Sequence, residues 1–123
     1  TNVFRRRGDP SRTFRGYDRV ADAIQYDTRV KDASETVAFL FDFSRFPEAV
    51  AGETLASPSV PAVSGLTIGS PAVTAARKDG IPAGYAVQVT ISGGTAGNSY
   101  SIEAFATMSG GAVRCVKGVL KVE

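Results

Sequence analysis

The 123-residue chain contains no histidine, no tryptophan and a single cysteine, Cys115. Without histidine, the commonest general base and the commonest zinc ligand are both missing. One cysteine leaves no disulfide to form within the chain. A thiol nucleophile here would also lack its usual activating base, so Cys115, between Val113 and Val116, reads as a small strand residue. Carboxylate pairs such as Asp42 with Glu53, or Glu48 with Glu53, fall at strand ends and turns and read as solvated groups rather than as an acid and a base. No catalytic residue, cofactor or metal site is expected. No run of about 18 apolar residues exists, so no helix reads as membrane-spanning. Thr1–Arg7 carries a basic cluster without an apolar stretch behind it and does not read as a secretory signal.

What the chain does have is an uneven charge distribution. Residues 1–31 carry seven arginines and Lys31 against four aspartates, whereas residues 32–123 carry a slight acidic excess. This divides the chain into a basic N-terminal arm, 1–31, and a body, 32–123. The arm reads as mostly irregular: Arg7-Gly8-Asp9-Pro10-Ser11 is turn chemistry, and a turn or two of helix is expected over Val20–Tyr26. Aromatic residues are scattered among its arginines, which is unlike a disordered tail. Arginine with Phe and Tyr is the composition of a protein-binding surface, so Phe4, Arg5, Arg6, Arg7, Arg12, Phe14, Arg15, Tyr17 and Tyr26 are the candidate partner-binding residues. A frayed terminus is the plainer alternative. Phosphate contacts to a nucleic acid are disfavoured by the four interleaved aspartates.

The body reads as about seven short strands. Val37, Phe39, Phe41 and Phe43 alternate on one face, as do Tyr85, Val87, Val89 and Ile91, and as do Tyr100, Ile102, Ala104 and Ala106. Ser44–Glu48 breaks the pattern, with a short helical turn expected over 45–50. The run from Gly52 to Val60 is a weaker strand, an edge strand or irregular, since Pro58 and Pro61 cannot donate to a ladder. Leu66–Ile68 and Ala72–Thr74, flanking Gly69-Ser70-Pro71, read as one kinked strand or two short ones, Arg77–Gly84 as a polar hairpin loop and Gly110-Gly111 as a turn. The last strand runs from Ala112 to Val122, with Val116, Leu120 and Val122 inward. Gly93, Gly94 and Gly97 permit the positive φ of a tight corner, and Tyr100 just after it is placed to bond back to the backbone, as in a tyrosine corner. The fold class is therefore all-β, an antiparallel β-sandwich, with a small barrel as the alternative. On the same pattern Phe105 points outward, with Arg114 beside it, as a candidate interface on the sandwich.

The ordered succession of Val37-Ala38-Phe39-Leu40-Phe41-Asp42-Phe43, Gly52-Glu53-Thr54, Gly65-Leu66-Thr67 and Gly93-Gly94-Thr95-Ala96-Gly97 with Tyr100 resembles the immunoglobulin-like modules of tailed-bacteriophage virion proteins. The resemblance covers residues 31–123. It departs from the usual pattern in having phenylalanine, at Phe43 and Phe46, where tryptophan is common. It implies an immunoglobulin-like sandwich located in the virion and contacting other virion proteins, as a homo-oligomer or symmetric array. The expected role is a capsid decoration or cementing protein docked through its arm. A head–tail connector or tail component forming a ring is the alternative, and a carbohydrate-binding module is the reading from another class.

Overall fold

The computed structural model of the chain describes residues 12–14, 17–20 and 23–123, and for residues 17–20 and 23–26 the backbone only. Ten strands and one helical turn follow in chain order: β1 (Thr13–Phe14), β2 (Tyr17–Val20), β3 (Ala23–Lys31), β4 (Val37–Asp42), α1 (Pro47–Val50), β5 (Leu55–Ser59), β6 (Leu66–Ile68), β7 (Ala72–Val73), β8 (Ala86–Gly93), β9 (Ser99–Met108) and β10 (Val113–Val122). They form two five-stranded sheets. One has the order β1-β4-β8-β6, with β7 also paired to β8; the other has the order β2-β3-β10-β9-β5. The body supplies seven of these strands, β4 to β10, and α1 falls within the helical turn expected over 45–50. Pro58 lies on β5, at an edge of its sheet, where its missing N–H costs no ladder bond.

The period-2 faces read from the sequence meet between the sheets. Phe39, Phe41, Val87, Val89 and Ile91 come from the first sheet and Ile102, Ala104, Ala106, Val116, Leu120 and Val122 from the second; all are essentially fully buried in one cluster. Phe43 joins them beyond the end of β4, its ring 5.7 Å from that of Phe46. Alternation of this kind places every second residue of a strand in the core.

The N-terminal region departs from the sequence reading. Residues 23–26 are not helical; they open β3, a nine-residue strand, and the described part of the expected irregular arm is largely strand. Its first half pairs with β2, Tyr17 lying opposite Tyr26, and its second half pairs in parallel with β10. The charge division misled for a physical reason. The register sets Arg29 beside Leu120 and Lys31 beside Val122. Cross-strand neighbours share a face, so the two cations are the ones turned inward. Lys31 is 1% exposed, and its Nζ donates to the carbonyls of Asp32 and Glu35 at 2.8 and 2.9 Å. A buried ammonium is tolerated when its donors are satisfied in this way.

β1 closes the first sheet at the other side of β4, with Thr13 beside Leu40 and Phe14 beside Phe41 in parallel register. The Phe14 ring is fully buried. It stacks on Phe41 with centroids 4.7 Å apart and tilts against Phe39 at 5.7 Å. Across the sandwich it fills the space above Gly118 of β10. A Cβ built on Gly118 would stand 2.0 Å from Phe14 Cδ1, so glycine is needed here for room and not for backbone freedom. Gly118→Ala should lower stability by about 1–3 kcal/mol through overpacking, and Phe14→Ala by about 3–5 kcal/mol through the cavity it leaves. Thermal or denaturant unfolding of both variants and their combination checks this. The combined loss should fall short of the sum, because the alanine at 118 then enters space the ring has vacated.

Candidate interaction surface

The arm expected to carry partner contacts is fixed to the body at Thr13 and Phe14 by three contacts of different kinds. The first is the Phe14 ring in its notch. The second is Arg29, 6% exposed, whose Nε donates to the Thr13 carbonyl at 2.7 Å while Nη1 donates to the Thr28 carbonyl at 2.9 Å. Its Nη2 lies 3.4 Å from Asp27 Oδ2, and its guanidinium carbon 6.0 Å from the Phe14 ring centroid. The planar fork serves two carbonyls, a carboxylate and a ring face at once. The third contact comes from outside: the Thr13 hydroxyl donates a short hydrogen bond to Asp79.

Asp79 reaches Thr13 from the tip of a hairpin. Lys78 and Ile81 pair across Asp79-Gly80, both of which have positive φ, the two-residue turn that Asp-Gly favours. Ile81 is buried beneath this loop at 3% exposure. Arg77–Gly84 is thus a polar hairpin loop with one apolar foot, and its acidic tip holds β1 in place.

These contacts sort the candidate arm residues. Phe4, Arg5, Arg6, Arg7 and Arg15 lie outside the described residues, as do the side chains of Tyr17 and Tyr26. Arg12 is exposed where the chain enters β1. Phe14 is enclosed by the chain's own core, so its ring is not presented to a partner surface in this structure. Arg29, Asp79 and Gly118 do the anchoring, and the sequence reading singled out none of them for it. The Asp-Gly turn was legible; its reach to residue 13, 66 positions away, was not.

On the second sheet Phe105 is half-buried on the outer face, opposite Cys115 on β10 and Ser59 on β5. Burial pushes the Cys115 thiol above its ordinary pKa, with the Glu103 carboxylate adding to the effect. Arg114 corrects the sequence reading. It does not stand outward beside Phe105: it falls on the inward parity of Val116 and Leu120, at the end of the core. Its Nε and Nη2 donate to Glu48 Oε1 and Oε2 at 2.9 and 2.8 Å, and its guanidinium carbon lies 5.3 Å from the Phe46 ring centroid. The fork ties α1 to the start of β10. At the opposite end, Gly93, Gly94 and Gly97 all have positive φ, and the Tyr100 hydroxyl oxygen accepts the Thr95 N–H at 2.8 Å. That bond holds the phenol below its ordinary pKa.

Among the described residues no cluster of three or more His, Cys, Asp or Glu side chains could hold a metal ion, and no helix is long and apolar enough to cross a membrane.

Two measurements test these contacts. Arg29→Lys should destabilise the fold by about 1–3 kcal/mol, since one ammonium cannot serve the same set of acceptors and leaves a buried carbonyl short of a donor; proteolysis at Arg12 should quicken in parallel. The Arg114 hydrogen bonds hold the Glu48 carboxyl below the usual carboxylate range. The stabilisation that follows is present above the unfolded-state pKa and is lost as pH falls through the lowered folded value. Unfolding of the wild type and Glu48→Gln should therefore differ at neutral pH and converge in acid.

No curated protein matches the chain. A family model described as podophage GP4 fiber-tail adaptor protein gp77 matches residues 31–121, from the last residue of β3 to within one residue of the end of β10. The match spans the sandwich and begins after the Thr13–Phe14 anchor. With most of its length covered, the chain belongs to the podophage GP4 fiber-tail adaptor protein gp77 family and is a bacteriophage virion protein.

Proposed function

We propose that the chain is a tail-side adaptor, a rigid sandwich standing between the phage tail and a fibre. The observation that carries this is the family match across residues 31–121. The same match weighs for the tail over the shell-decoration role that the resemblance led us to expect, and agrees with the tail-component alternative. The body supports an immunoglobulin-like reading. With β3 to β10 taken as strands A′ to G, and β7 as a side strand, the sheets run B-E-D and A′-G-F-C, the strand order of that sandwich.

An adaptor has to hold two partners at a fixed separation and angle, so its attachment points must not move relative to its core. The anchor at Thr13 and Phe14 meets that need. It determines where the segment bearing Phe4, Arg5, Arg6 and Arg7 joins the body, and we assign that segment the contact to one partner. Arginine and aromatic side chains suit this role through pocket filling and forked carboxylate contacts. Repetition around a symmetric tail adds avidity to each contact.

Co-sedimentation of the purified protein with fibreless tails, isolated fibres and empty shells tests the reading. Binding to tails and fibres is expected, and binding to shells alone would sink it. Removing residues 1–11, which spares β1 and the Phe14 plug, should weaken tail binding by about tenfold or more, or about 1.4 kcal/mol, with the melting temperature unchanged.

A further inference from the structure

We infer that the outer face of the first sheet carries a docking groove for an extended, carboxylate-bearing segment of a tail protein. The inference rests on the adaptor reading and deepens it by naming the surface and the chemistry of the partner. Two adjoining depressions, of about 450 and 220 Å³, share Lys78 and Gln88 in their walls. The floor is a flat strip of strand residues: Leu40 lies opposite Gln88, which lies opposite Ala72, and Ala38 lies opposite Thr90 in the next row. Small side chains on most of this strip leave a channel in which an extended chain can lie, with alternate side chains reaching the floor.

Charge decides the occupant. Arg12 borders one depression and Lys78 borders both, and both cations are exposed. Among the described residues neither side chain has an ion pair or hydrogen bond. The acid on the rim, Asp79, is already engaged by Thr13. The groove thus presents two cations against the single carboxylate of Asp79, a net positive rim over a partly apolar floor, which suits carboxylates spaced along an apolar strand. The eleven residues preceding Arg12 carry three arginines against one aspartate, so their charge does not complement it.

Thr74 gives a second, independent indication. It is 6% exposed and lines the smaller depression, and its Oγ1 has no hydrogen-bond partner among the described residues. A buried hydroxyl without a partner is costly. The residue stands in the wall beside Lys78, and an acceptor brought into the depression would give that hydroxyl the hydrogen-bond partner it lacks. Thr74→Val keeps the shape and removes the orphan. It should keep or raise the melting temperature while weakening the groove's ligand.

The test is an NMR titration of the full chain with a capped synthetic peptide alternating leucine and glutamate, beside its glutamine counterpart. Saturable shifts at Leu40, Thr74, Lys78 and Gln88 are expected with the glutamate peptide. They should weaken about tenfold with the glutamine peptide, and likewise in Lys78→Glu. No shift in the groove at millimolar peptide overturns the inference, as do shifts indifferent to Lys78→Glu. Shifts that emerge only after removal of residues 1–11 also overturn it, by assigning the groove to the chain's own N-terminal segment. Wild-type tail binding that survives Lys78→Glu overturns the groove and leaves the adaptor reading standing. A groove that takes the peptide in a protein that binds neither tail nor fibre overturns the adaptor reading instead.

Discussion

The Phe14 ring in the space above Gly118 is the contact on which the rest of the arrangement depends. It joins the two sheets at the point where the N-terminal segment enters, stacked on Phe41 from one sheet and set over the backbone of β10 from the other. The ring is fully enclosed and occupies the space a Cβ at Gly118 would need, and close-packed interiors respond to a single added methyl. Around it, the polar groups that burial would otherwise strand are satisfied. Arg29 takes the Thr13 carbonyl and Asp79 takes the Thr13 hydroxyl, so a two-residue strand is held by apolar, charged and neutral contacts together.

That anchor divides the N-terminal region by role. Residues 12–14 and 23–31 are part of the sandwich, while the segment ahead of Arg12 keeps the arginines and the Phe4 side chain that suit a partner. On the proposed adaptor reading, a load on the arm would reach the core through the Phe14 ring and the Arg29 guanidinium. The Arg114–Glu48 fork does similar work at the start of β10, tying the helical turn to the second sheet.

The sandwich was largely legible because its strands obey a simple rule. Val37 to Phe43, Tyr85 to Ile91 and Tyr100 to Ala106 alternate strictly, and each alternation marks a face with one side in the core. Where the rule failed, the inward positions were filled by charges. Arg29 and Lys31 are buried on β3, so a segment set apart by its basic charge is a strand of the sandwich. Arg114 was misplaced for a related reason: an arginine near a strand end reads as solvent-facing until Glu48, 66 residues earlier, is seen to meet it.

By itself the sequence determined the all-β class, the strands of the body, the turns that join them and the phage-virion resemblance. Each of these depends on local periodicity, turn chemistry or ordered short motifs. Only the tertiary structure decided that Phe14 belongs to the core, that Gly118 makes room for it, and that Asp79, Arg29 and Arg114 meet the partners they do. Those contacts are between residues far apart in the chain, and a pairing across such a distance leaves no period in the sequence to be read. The groove beside Lys78 has the same origin: its walls come from four separate strands and a loop, and only the sheet register brings them together.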